Sequence, residues 1–144
     1  MSVQKTFASV PYDTKRKVTR RETILQEMDR VSPWARLLPL IAPHYPKAGR
    51  GRPPLPMETL LRVYFLQHWF NLSDPQAEDM LYDSEPMRRF AHVELGEDTV
   101  PDASTILRFR HLLEQHQLTA QIFDADRALI EEQRLLPAKC STRT

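Results

Sequence analysis

Apolar residues recur every three or four positions along most of this chain, and nowhere do they alternate with polar ones for long enough to make a strand. The strongest such pattern lies at residues 56–70, where Met57, Leu60, Leu61, Tyr64, Phe65 and His68 share a side, which predicts a core helix. Ahead of it the pattern predicts a helix over 19–30, with Ile24, Leu25 and Met28 on one face, and a shorter one over 33–40 with Pro33 in its first turn. After it, Ser73, Asp74 and Pro75 form a start signal for a helix to about Tyr82 with Ala77, Met80 and Leu81 inward. A short helix over 85–91, a loop over 93–101, a helix capped by Asp102 and running to Gln115, and a last one over 118–135 complete the reading. In the last, Ile122, Ala125, Leu129 and Leu136 fall on one side. Six of the twelve prolines lie between residues 39 and 56, which marks a linker or a tightly turned connection. The expected fold class is all-α.

Composition narrows the picture. A length of 144 residues fits one domain, with room for a detachable arm. Three glycines argue against phosphate-cradling loops and hairpin-rich sheets, and 18 leucines against 12 valines and isoleucines favour helix. No apolar run has the length of a bilayer span and residues 1–10 lack the centre of a secretory signal, so a cytosolic protein is expected, with no membrane partner. Cys140 is alone, which permits no internal disulfide and no cysteine-type zinc site.

The net charge of +1 conceals an uneven distribution. Residues 1–52 hold 11 Lys and Arg against 4 Asp and Glu, residues 53–101 hold 3 against 9, and residues 102–144 hold 6 against 6. The charge marks a basic N-terminal arm with one or two helices (1–52), and the helix pattern marks a helical body (53–136), with residues 137–144 left as a tail. A basic arm is an electrostatic partner for phosphate, which brings double-stranded DNA in as a candidate ligand, beside the plainer reading of a solvated tail.

Two segments carry candidate chemistry. On the helix from Asp102 to Gln115, Ala103, Ile106, Phe109, Leu112 and Leu113 form one side, while Ser104, Arg108, His111 and Gln115 form the other, with Leu107 among them. Such a row is how a recognition helix meets base edges, Arg chelating guanine and Gln pairing with adenine. Ser104 and Thr105 offer an alternative use, holding a phosphate with the free N–H groups of the first turn. An ordinary surface helix shows the same division. The helices before it supply the scaffold of a helix-turn-helix, although the loop before Asp102 is longer than the usual turn. The second segment, Gly49-Arg50-Gly51-Arg52-Pro53, resembles a minor-groove AT-hook core, with Arg50 and Arg52 free to lie in a narrow groove because glycine has no side chain to strike its floor. Lys15, Arg16 and Lys17 complete the candidate DNA contacts, as sequence-independent phosphate neutralisers.

Nothing assembles a catalytic or metal site. The five histidines make no ligand spacing, no nucleophile has an adjacent base, and Asp124, Asp126, Glu131 and Glu132 read as a solvated face of one helix pointing different ways.

The runs Tyr45-Pro46-Lys47-Ala48-Gly49, Pro56 through Arg62, Gln67 through Asp74, Pro101 through Ile106 and Arg108 through His116 together resemble the N-terminal region of bacterial insertion-sequence transposases, the insertion-sequence-five, InsH-like group. The resemblance covers about residues 5–136. It implies the part of a DDE transposase that binds terminal inverted repeats, ahead of an RNase-H-like domain that cuts and joins DNA with two Mg²⁺ ions held by two Asp and a Glu. In that family the chain runs on into a strand bearing the first catalytic Asp, whereas here Pro137 to Thr144 depart from the pattern. The resemblance therefore carries over no catalytic residue and no cofactor, and points to a truncated, DNA-binding fragment. A module that pairs with itself or with full-length transposase and inhibits it, and an inert remnant of a decayed element, are the alternatives.

Overall fold

The computed structural model describes residues 17–47 and 54–141, with side chains in the last helix described as far as Ala128 and at Glu131. Lys15, Arg16 and the segment containing Arg50 and Arg52 lie outside the described residues. Every regular element among those described is helical: α1 (Arg20–Val31), α2 (Trp34–Ile41) with a 3-10 turn at Ala42–His44, α3 (Met57–Phe70), α4 (Asp74–Asp83), α5 (Glu85–Ala91), α6 (Ala103–Gln115) and α7 (Leu118–Ser141). None is long and apolar enough to cross a membrane.

Local chemistry sets most of the boundaries. Thr19 and Glu22 close a capping box at the start of α1, and Ser73 and Gln76 do the same for α4, each pair satisfying amides that the first turn leaves open. Ser84 ends α4 and starts α5, its hydroxyl accepting from the Met87 N–H, so the chain turns between two helices on one residue. Asn71 and His92 end α3 and α5 in the left-handed region at φ 56° and 63°, where a glycine is the usual occupant.

α3 is the hub, packed against α2, α4, α5 and α6. Val63 and Leu66 join a cluster with Leu25, Ala77, Leu81, Met87, Phe90 and Ile106, while Leu60, Leu61 and Phe65 join a second with Leu37, Ile41, Phe109, Leu113 and Ile122. The helices of the basic N-terminal region thus contribute Leu25, Leu37 and Ile41 to the same interior as the body.

Being wrapped on several sides corrects the one-faced reading of α3. His68 is exposed, whereas Thr59, Arg62, Val63, Leu66 and Gln67 are buried. α1 departs in the same way: Leu25 is buried but Ile24 is 48% exposed, because α5 and α7 cover only one narrow stripe of it. α2 continues through Pro39, and its first-turn proline, Pro33, sits just outside as the cap residue. α7 continues through Pro137 to Ser141, past the end near Leu135 that the periodicity suggests and into the tail.

The buried Arg62 is the most consequential of these departures. Its guanidinium donates to Glu58 at 2.9 Å, to Asp29 at 2.8 Å and to the Phe90 carbonyl at 3.0 Å, and lies 4.1 Å from the centre of the Trp34 ring. One side chain thereby links α1, α2, α3 and α5 with its charge compensated by two carboxylates and an aromatic face.

Candidate nucleic-acid interface

α6 is held at two points by carboxylates of α4. Asp74 accepts two bonds from Arg110, at 3.0 and 2.8 Å, and a third from Gln67 at 2.7 Å; Glu78, one turn further on, accepts from the Ala103 N–H at 2.8 Å. The Arg110 guanidinium, followed by Gln67, holds the Asp74 carboxyl below the ordinary carboxylate range, and the same bond raises Arg110. A bidentate Arg–carboxylate pair fixes both distance and rotation, so α6 is set against α4 in one register. Arg110 and Asp74 line an open cleft of about 560 Å³ with Tyr64, Gln67, His68 and Asn71. The periodicity gave Arg110 no role; it sits on the flank of α6 between the buried and the outward faces, where a wheel cannot say which neighbour it meets.

This fixation turns one face of α6 inward and one outward. Ile106, Phe109 and Leu113 are 4% exposed or less, and Leu112 packs against the second cluster. Ser104, Arg108, His111 and Gln115 are all exposed, and Thr105 is partly so. The five residues predicted on this helix therefore stand together on one element. Arg108 donates to the Thr105 hydroxyl at 3.3 Å, a weak contact that leaves most of its guanidinium donors open.

The phosphate use of Ser104 and Thr105 fares differently. Asp102 accepts from the Thr105 N–H at 2.8 Å and from the Ser104 hydroxyl at 3.1 Å, and the Thr105 amide holds the Asp102 carboxyl below its usual range. With Glu78 on Ala103, two carboxylates occupy the amides that a phosphate would need, and both repel it. The first turn of α6 is a helix end capped by Asp102.

The flanks of the Arg50 and Arg52 segment are described although the segment is not. On its N-terminal side the His44 ring stacks on His116 at 3.9 Å, just past the end of α6, and the Tyr45 ring meets Phe109 edge-on at 6.2 Å. On its C-terminal side the Leu55 carbonyl accepts from the Tyr45 hydroxyl. Both ends are thus tied down beside the second half of α6. Lys17 lies elsewhere, exposed in a cleft bordered by Arg20, Arg21, Asp83 and Glu85, with no α6 residue in its lining.

Of the α7 carboxylates read as a solvated face, Asp124 and Glu131 are exposed as expected and Asp126 departs from it. Asp124 is exposed, but Asp126 is 4% exposed, and burial pushes its carboxyl above the ordinary range. The nearby Ser32 hydroxyl and His68 work weakly the other way, yet neither Ser32 Oγ nor Asp126 Oδ1 completes a hydrogen bond. A folded-state pKa above the unfolded one means the folded protein binds the extra proton. Its stabilising effect is full below the unfolded carboxylate value and is lost as pH rises through the raised value. Asp126→Asn is therefore expected to gain about 1 kcal/mol over wild type near pH 7 and to lose that gain toward pH 3, measured by urea unfolding across the range.

Among the described residues no three His, Cys, Asp or Glu side chains converge on a point that could hold a metal ion. Asp124 and Asp126 face apart, so the paired magnesium ions implied by the resemblance find no fit in them.

The described residues thus form a small all-helical domain in which one helix is fixed by a bidentate ion pair and turns a polar row to solvent. The chain belongs to the transposase domain (DUF772) family, whose model matches residues 12–112, from the basic arm into α6. Its role is thus related to transposition. No solved structure matches the chain.

Proposed function

We propose that this chain is the DNA-reading part of a transposase of the InsH-like, insertion-sequence-five kind, and that it binds the terminal inverted repeats of its element through the outer face of α6. The observation that carries this reading is the row Ser104, Arg108, His111 and Gln115, exposed together on a helix whose opposite side is buried. Arg108 and Gln115 supply bidentate donors and acceptors for purine edges in the major groove. α6 itself is no magnet for phosphate, since Asp102 and Glu114 lie on or beside its exposed side. The electrostatic attraction falls instead to Lys15, Arg16 and Lys17 and to Arg50 and Arg52. Tyr45, on the described N-terminal flank of the Arg50 and Arg52 segment, packs on Phe109 of α6, and its hydroxyl donates to the Leu55 carbonyl on the C-terminal flank. The role proposed is binding; strand cleavage and transfer are assigned to none of the described residues.

Two substitution sets separate the roles. Arg108→Ala is expected to weaken binding to the terminal-repeat duplex by about 1–3 kcal/mol and to leave binding to a random duplex nearly unchanged. Neutralising Lys15, Arg16 and Lys17 is expected to weaken both duplexes about equally and to lower the slope of affinity against salt by roughly one per lost phosphate contact. Fluorescence anisotropy at several salt concentrations reads both, and equal losses on the two duplexes for Arg108→Ala would refute the assignment.

A further inference from the structure

We infer that Leu107 is a base-reading residue that seats the C5 methyl of a thymine, so that the duplex recognised by this chain contains an A·T pair specified through that methyl beside the base read by Arg108. This rests on α6 being the DNA-reading helix. Among the large apolar residues of α6, Ile106, Phe109 and Leu113 are buried and Leu112 packs against the second core cluster. Leu107 and Leu112 are both partly exposed, but Leu107 packs against neither cluster of the described residues.

Its place on the helix is in the polar row. Leu107 lies three residues after Ser104 and four before His111, while Arg108 lies four after Ser104 and three before His111, so the four side chains form one patch with neighbours about 5–6 Å apart. That spacing covers about two base steps at roughly 3.4 Å per step. An apolar side chain ringed by a hydroxyl, a guanidinium and an imidazole has few matching partners. A protein surface apolar enough to cover Leu107 would desolvate Arg108 and the Asp102 carboxylate close behind it without pairing them. The major-groove edge of a thymine offers a methyl group set among hydrogen-bonding atoms, which is the complement of this patch.

The full chain is used to enrich binding sites from a randomised 20-base-pair duplex pool, and the enriched duplex is then remade with each thymine replaced in turn by uracil, which lacks only the methyl. At one thymine the wild-type protein is expected to lose about fourfold in affinity, the effect of one buried methyl. Leu107→Ala is expected to bind the thymine and uracil duplexes equally, and Leu107→Met to keep the difference. Circular dichroism of both variants checks that α6 is retained. Discrimination that persists in Leu107→Ala, or no uracil effect while Arg108→Ala still relaxes specificity, overturns the inference and leaves the DNA-reading helix standing. A change in self-association of Leu107→Ala at unaltered DNA affinity also overturns it and assigns the side chain to a protein contact. A pool from which no sequence is enriched removes both.

Discussion

Replacing Phe65 with alanine is expected to cost about 3–5 kcal/mol of folding stability, the largest loss from any single truncation in this domain. The ring is fully buried on α3 and makes tilted contacts with Trp34 at 5.3 Å, Trp69 at 5.2 Å and Phe123 at 5.3 Å. Those partners belong to α2, α3 itself and α7, so the cavity would open where three elements meet. Their own anchoring in other contacts limits how far they can collapse into it. Against a total of about 5–15 kcal/mol for a domain of this kind, the loss removes a large share of the stability. Urea denaturation followed by tryptophan fluorescence reads the loss directly. A cost below about 1.5 kcal/mol would mean that α2 and α7 are not packed on α3 as described.

Arg62→Ala comes next, at about 2–4 kcal/mol. The carboxylates it pairs are 46% exposed at Asp29 and 35% at Glu58, so water can recover part of their solvation and the full cost of a stranded buried charge does not apply. What remains is the unpaired Phe90 carbonyl, the lost packing of the Arg stem and the stacking on Trp34. Arg62→Met keeps most of the volume and gives up the charge. It is expected to cost about half as much as Arg62→Ala, and the alanine loss is expected to shrink further when Asp29 and Glu58 are both made neutral. Equal costs for Ala and Met, unchanged in the neutral background, would mean that the charge contributes nothing and Arg62 acts as packing alone.

Both sites show where a sequence stops being legible. Phe65 could be placed in the core from spacing because a single helix decides it: apolar residues at three and four positions must share a side. Helix starts were equally readable, since Ser73 with Gln76 and Asp102 with Thr105 satisfy amides within the same turn. Arg62 could not be placed that way. Its partner Asp29 is 33 residues away, and the only local signal was a lone arginine in an apolar run with Glu58 four positions earlier. Asp126 was hidden for the same reason: its surroundings, Ser32 and His68, come from the end of α1 and from α3, and on its own helix it reads as one acid among several. The outward row of α6 was legible because burial of the opposite side leaves the remainder no choice. Which way that row is aimed was not, since this depends on Asp74 and Arg110, 36 residues apart.

Placing a photo-cross-linking amino acid at position 111, and in a control at position 82 on the exposed end of α4, tests most directly whether α6 meets DNA. With the duplex enriched from the random pool, irradiation of the position-111 protein should give a DNA adduct mapped to a major-groove base, and the position-82 protein should give none. Adducts from position 82 with none from position 111 would contradict the central claim and move the interface away from α6.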